Sequence, residues 1–158
     1  MNKISVLLYW GLILLLTGCI IGCQKDDAIP EPKPQSKVAD LKVVLSIDPS
    51  SCYTSFKVTK GEEPNIYRDG VLVSQGDYTS QKEQSSSRIQ TSFSHRGRKL
   101  KVTVELKTYY GNTFANPSIR AVLYRNGTMV SEFSKSYELR PRDGSAIADF
   151  ELYAQADS

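Results

Sequence analysis

From Val38 onward, apolar and polar residues alternate with a period of two, and glycine, proline, asparagine and serine break the alternation at short intervals. Leu41, Val43, Leu45 and Ile47 alternate with Asp40, Lys42, Val44 and Ser46, the pattern of a strand with one buried face. Asp48-Pro49-Ser50-Ser51 ends that segment by turn chemistry. Residues 53–59 read as a weaker strand with Phe56 and Val58 on one face, and Lys60-Gly61-Glu62-Glu63-Pro64 turns the chain again. Serine-rich 80–87 reads as a loop. Residues 88–94 read as a strand with Ile89, Thr91 and Phe93 on one side, and His95-Arg96-Gly97-Arg98 as a turn. The clearest pattern runs over 99–108, where Leu100, Val102, Val104 and Leu106 face inward against Lys99, Lys101, Thr103, Glu105 and Lys107. Segments 119–125, 128–139 and 146–154 complete the series. No stretch of ten or more residues in this region keeps a helical period.

Two segments match each other. Ile66-Tyr67-Arg68-Asp69-Gly70-Val71-Leu72-Val73-Ser74-Gln75 and Leu123-Tyr124-Arg125-Asn126-Gly127-Thr128-Met129-Val130-Ser131-Glu132 agree at five of ten positions, 57 residues apart. Asp-Gly and Asn-Gly between β-prone flanks predict tight two-residue hairpins, because both central positions need positive φ. Convergent hairpin grammar is the preferred account of the match, which fades on either side, with an internal duplication as the alternative; two copies are too few for a solenoid. Eight or nine short strands with such punctuation predict an all-β fold. The expected form is an antiparallel two-sheet β-sandwich, immunoglobulin-like by analogy of architecture, with a small β-barrel as the alternative.

The N-terminus follows a different pattern. Met1-Asn2-Lys3 precedes an almost unbroken apolar run to Leu16, as in a secretory signal. Leu16-Thr17-Gly18-Cys19 and Ile20-Ile21-Gly22-Cys23 each resemble the bacterial lipobox, in which a cysteine thiol takes diacylglycerol and acyl chains such as palmitate. Gln24, Lys25, Asp26 and Asp27 follow Cys23 and resemble the export tag of Bacteroidetes-type surface lipoproteins. The resemblance implies lipid attachment at Cys23, with Cys19 the alternative, and a lipid-anchored place in the outer membrane, at the cell surface. Together with the strand pattern, it divides the chain into a signal peptide (1–22), a lipidated tether (23–37) and a β-sandwich domain (38–158). Pro30, Pro32 and Pro34 stiffen the tether, which in polyproline II form spans about 40 Å.

Charge and chemistry narrow the reading further. The formal net charge of +3 is too mild to call for nucleic acid. Cutting before Cys23 leaves only Cys23 and Cys52. A lipidated Cys23 then leaves Cys52 without a disulfide partner and reads it as a small core residue. Only His95 could serve it as a base, and nothing in the pattern joins the two. No His-Glu-x-x-His, Gly-x-Ser-x-Gly or phosphate-cradling glycine loop occurs, and no ligand cluster suggests a metal. The expectation is a protein that is not an enzyme and needs no cofactor. Asn126-Gly127-Thr128 has the form of a glycosylation sequon, but the hairpin already explains it.

Two candidate surfaces remain. Arg96, Arg98, Lys99 and Lys101, within a run that also holds Arg88, His95 and Lys107, form a possible basic patch for an anionic partner. Tyr109, Tyr110, Asn112, Phe114 and Asn116 form a possible ligand loop, since aromatic faces with amide side chains suit sugars, although such rings also plug sheet ends. The expected function is that of a membrane-anchored, non-catalytic protein-binding or accessory module. The alternatives are a glycan-binding surface lipoprotein and an enzyme of unfamiliar type.

Overall fold

Eleven strands and no helix make up residues 38–109, 114–142 and 144–155, the part of the computed structural model that is described. They are β1 (Ala39–Asp48), β2 (Cys52–Lys60), β3 (Ile66–Arg68), β4 (Val71–Ser74), β5 (Tyr78–Thr79), β6 (Glu83–Gln84), β7 (Ile89–Gly97), β8 (Lys99–Thr108), β9 (Ser118–Arg125), β10 (Thr128–Ser136) and β11 (Ser145–Tyr153). All paired strands run antiparallel in two sheets, ordered β10-β9-β1-β7-β3-β4 and β11-β8-β2-β5, with β6 also on β2. The sheets do not close on each other, so the fold is a sandwich and not a barrel. The expected loop at 80–87 contains β6, and the expected strand over 128–139 ends at Ser136. Leu139 instead forms an isolated bridge with Ala115.

The core lies where the two inner faces meet. Leu41, Val43, Leu45 and Ile47 of β1, Phe93 of β7 and Ile119 and Ala121 of β9 are buried on one side. Phe56 and Val58 of β2, the four apolar residues of β8 and Ala148, Phe150 and Leu152 of β11 are buried on the other. Phe56 and Phe93 meet across the gap with ring centroids 5.3 Å apart. Each such side chain contributes roughly 1.5–3 kcal/mol of burial, most of it offset by lost conformational freedom. β2, which reads as weak in sequence, is a central strand: its inward residues Cys52 and Thr54 are wholly buried but too small or too polar to register as a pattern.

The passage from β7 to β8 differs from the expected turn. Alternation continues through Phe93, His95 and Gly97, all buried, and Arg98 alone carries the chain from one sheet to the other. Gly97 is required there, because a Cβ would collide with His95 Nε2 and lie 2.7 Å from Glu63 Oε2. His95 Nδ1 sits 2.9 Å from the carbonyl oxygen of Asn65, so in this geometry it donates to that oxygen. His95 is therefore a core residue and not part of a basic surface.

The strand order has a two-fold relation that the matched hairpins only hint at. Read from either edge, the six-stranded sheet places β1 opposite β7, β3 opposite β9 and β4 opposite β10. The other sheet relates β2 to β8 and β5 to β11 in the same way. The axis passes through the paired residues Lys42 and Ser94. Turn grammar alone does not demand this, since it fixes hairpins but not their places in the sheets. The equivalence extends to detail. Asp69 and Gly70 have φ of 51° and 83°, and Asn126 and Gly127 have 50° and 77°. The ladder slips at Val73 in one hairpin and at Val130 in the other, bulging both edge strands, a common way to blunt an exposed sheet edge.

Candidate functional site

Two residues after each Tyr, the turn residue fixes its hairpin to the neighbouring strand. Asp69 N donates to the Ser92 carbonyl while Asp69 Oδ1 accepts from Ser92 N at 2.7 Å. Asn126 N donates to the Asp40 carbonyl while Asn126 Oδ1 accepts from Asp40 N at 2.9 Å. These clamps set the register. Tyr67 lies opposite Ser94, Ser94 opposite Lys42, and Lys42 opposite Tyr124. Leu72 and Met129 extend the row to the sheet edges. Because Ile66, Phe93, Leu41, Val43 and Leu123 point into the core, the intervening Tyr67, Ser94, Lys42 and Tyr124 stand on the outer face.

That face holds a cleft of about 560 Å³ lined by Asp40, Lys42, Val44, Tyr67, Ser94 and Tyr124 among others, within the size range of small-ligand sites. Three strand steps separate the two tyrosines, about 14 Å at ordinary strand spacing. Asp40 is engaged with Arg96, 3.9 Å away. Lys42 is exposed, and no hydrogen bond or ion pair engages its ammonium among the described residues. The cleft thus offers two half-buried aromatic rings, an apolar floor at Val44 and one free cation near its centre.

The surfaces expected from sequence are arranged differently. Arg96 stands on the outer face of the six-stranded sheet, Arg98 at the corner, and Lys99 and Lys101 on the other sheet. Each has an acidic neighbour. Arg98 Nε is 3.5 Å from Glu63, Lys99 is 3.7 Å from Glu151, and Lys101 is 3.0 Å from Asp149 and 3.4 Å from Glu151. The hydrogen bond to Asp149 raises the Lys101 pKa, while bonds from Thr103 and Lys101 lower that of Asp149. The four cations do not converge, and a ladder of mixed charge replaces the basic patch.

The aromatic loop is also divided. Tyr109 stands edge-on to Tyr53, centroids 4.5 Å apart, and burial raises the pKa of its phenol. Phe114 is 64% exposed, and Asn116 N donates to Ser50 Oγ at 3.4 Å. Tyr110 and Asn112 lie outside the described residues, as do Cys19, Cys23, Gln24, Lys25, Asp26 and Asp27. Cys52 is wholly buried in β2, and burial raises the pKa of its thiol. His95 is in the opposite sheet. No group of three or more His, Cys, Asp or Glu side chains is placed to share a metal ion among the described residues. Sequence reasoning missed the cleft, although its signal was present: Tyr67 and Tyr124 hold matched positions, each next to an inward apolar residue.

The fold is an antiparallel β-sandwich with a cleft on the outer face of its six-stranded sheet. No protein-family model matches the chain, and no curated protein matches it either. Among solved structures it is similar to a domain of unknown function, DUF4425, from Bacteroides vulgatus, at 15% identity and a TM-score of 0.55, covering 73% of this chain and 94% of that one. A DUF4425 family protein from Bacteroides ovatus is similar at 11% identity and a TM-score of 0.55, covering 77% and 100%. The calcium-bound form of a protein from Parabacteroides distasonis is similar at 14% identity and a TM-score of 0.50, covering 75% and 98%. At these identities the likeness is one of fold.

Proposed function

We propose that this chain is a lipid-anchored cell-surface protein that binds a ligand on the outer face of its six-stranded sheet and does not transform it. The observation that carries the reading is the cleft between Tyr67 and Tyr124, a concave site with aromatic walls that also presents Asp40, Lys42 and Ser94. The lipobox at Cys23, the tag at Lys25, Asp26 and Asp27 and the proline-spaced tether support a position at the membrane with the domain held clear of it. A protein partner on β10 is the second reading, since all nine residues of that edge strand are exposed, Met129 and Val130 among them. Calcium belongs to the Parabacteroides distasonis neighbour and supplies no argument for this chain at 14% identity.

The test is capture from intact cells with the anchor preserved. Cys23→Ala should release the protein from the membrane, and Tyr67→Ala with Tyr124→Ala should abolish capture without releasing it. The captured ligand should be recovered chemically unchanged. A ligand recovered cleaved or modified would make the protein an enzyme, and capture indifferent to both tyrosines but lost on Met129→Lys would favour the β10 edge.

A further inference from the structure

We infer that the cleft takes an anionic oligosaccharide, laid across the strands with sugar rings on Tyr67 and Tyr124 and a carboxylate or sulfate at Lys42. This rests on the binding reading above and specifies its ligand. The first ground is the direction of the site. Its row crosses β3, β7, β1 and β9, so a ligand touching both tyrosines lies perpendicular to the strands. The main-chain groups of these strands are spent in the ladder, so the face offers side chains alone. A peptide that binds sheets through its backbone adds at an edge. A pyranose, with apolar ring faces and hydroxyls around its rim, needs only what this face presents.

Charge is the second ground. Arg96, Arg98, Lys99, Lys101, Arg68 and Arg120 each have a carboxylate within 4.0 Å. Lys42 is the cation that lines the cleft and has no such partner among the described residues. It sits next to the local two-fold axis with Ser94 opposite as a hydroxyl, so a ligand can enter in either direction and still meet an aromatic ring at each end. One cation with Asp40 two residues away is too little for a nucleic-acid strand, whose sites follow successive phosphates with a basic groove. A single charge on a sugar matches it.

The full chain, purified in detergent, is titrated calorimetrically with four probes of similar length. These are a tetragalacturonide, a chondroitin sulfate tetrasaccharide, neutral cellotetraose and a poly-glutamate peptide. An oligothymidylate serves as a fifth. We expect at least one acidic saccharide to bind about tenfold more tightly than cellotetraose, the scale of one charge-assisted contact. Lys42→Met should bring the acidic probe down to the neutral level, Tyr67→Phe and Tyr124→Phe should retain binding, and the two alanine variants should lose it. Because the chondroitin sulfate probe carries uronate carboxylates as well as sulfate, loss of its binding on chemical desulfation assigns the anion to sulfate, and binding unchanged by desulfation assigns it to carboxylate. Equal binding of neutral and acidic sugars, unchanged by Lys42→Met, would overturn the charge assignment while leaving the cleft a binding site. Preference for poly-glutamate or oligothymidylate would overturn the sugar class. Binding that survives both alanine substitutions in a folded protein would overturn the cleft itself, and failure of every probe would overturn the inference.

Discussion

Hairpins β3–β4 and β9–β10 share Tyr, Arg, Gly, Val and Ser at matched places, and comparing them separates what the fold needs from what the site needs. Gly70 and Gly127 make the turn, Val73 and Val130 the bulge, and Tyr67 and Tyr124 the outward rings. The arginines differ. Arg68 turns inward over the rings of Phe56 and Phe93, at 5.1 and 5.7 Å, and meets both oxygens of Glu83 at 2.6 and 3.1 Å. Its Nε also donates to Thr91 Oγ1, and the bond to Glu83 raises its pKa. Among the described residues, Arg125 has its Nε buried with no hydrogen-bond partner. One half of the two-fold thus closes its side of the sandwich with an ion pair, and the other does not. On the latter side Phe133 of β10 packs edge-on against Phe150 of β11, centroids 5.4 Å apart. An aromatic contact replaces the charge pair.

The largest test of this difference is the arginine pair. Arg68→Ala strands the Glu83 carboxylate and Thr91 and removes two aromatic contacts, so it should cost about 2–3 kcal/mol, below the full value for a buried pair because both partners are partly exposed. Arg125→Ala removes an unsatisfied buried donor and should cost under about 1 kcal/mol. Urea unfolding of the two variants measures both. Equal losses would mean that Arg125 has a role equal to that of Arg68.

Next come the glycines, where the two hairpins should behave alike. A Cβ at Gly70 or Gly127 meets nothing within 4 Å, so only backbone strain resists substitution. Gly70→Val and Gly127→Val should each cost about 1–3 kcal/mol and lower the melting temperature by similar amounts. A silent variant at either site would remove the tight turn from the account.

The smallest effect separates the turn residues. By turn chemistry alone Asp69→Asn is silent, because the second hairpin already uses Asn126. Yet Asp69 Oδ2 accepts from Thr91 Oγ1 at 2.9 Å, and that hydroxyl already accepts from Arg68. An amide at Oδ2 would leave the Thr91 hydroxyl proton unpaired, at about 1 kcal/mol. Asn126→Asp keeps its acceptor for Asp40 N and should stay within about 0.5 kcal/mol of the parent. Thermal melts of the two variants decide between turn grammar and the Thr91 contact.

Much of the sandwich is legible in the sequence because burial and alternation coincide. β8 presents four aliphatic residues to the core with no interruption, and both turns announce themselves by Asp-Gly and Asn-Gly. Legibility fails where partners are distant. The acids that neutralise Lys99 and Lys101, Glu151 and Asp149, come from β11, about 50 residues further along the chain. The corner at Arg98 hides because the alternation that marks a strand continues into it, while Gly97 reads as part of a turn. The cleft was hidden for a related reason. Its aromatic walls sit in two segments far apart in sequence, and only the pairing of β1 with β7 makes them neighbours of one lysine.

Where a ligand touches the sheet decides between the cleft, the aromatic loop and the charged face. Amide chemical shifts of the labelled full chain in detergent micelles, followed during titration with the acidic tetrasaccharide that binds more tightly, locate that contact by residue. The expected changes follow the row through Tyr67, Ser94, Lys42 and Tyr124, on four strands at once, and disappear in the Tyr67→Ala, Tyr124→Ala double variant. Shifts confined to Tyr109 and its neighbours, or to Arg98, Lys99 and Lys101, would contradict the cleft and return the site to the loop or to the charged face.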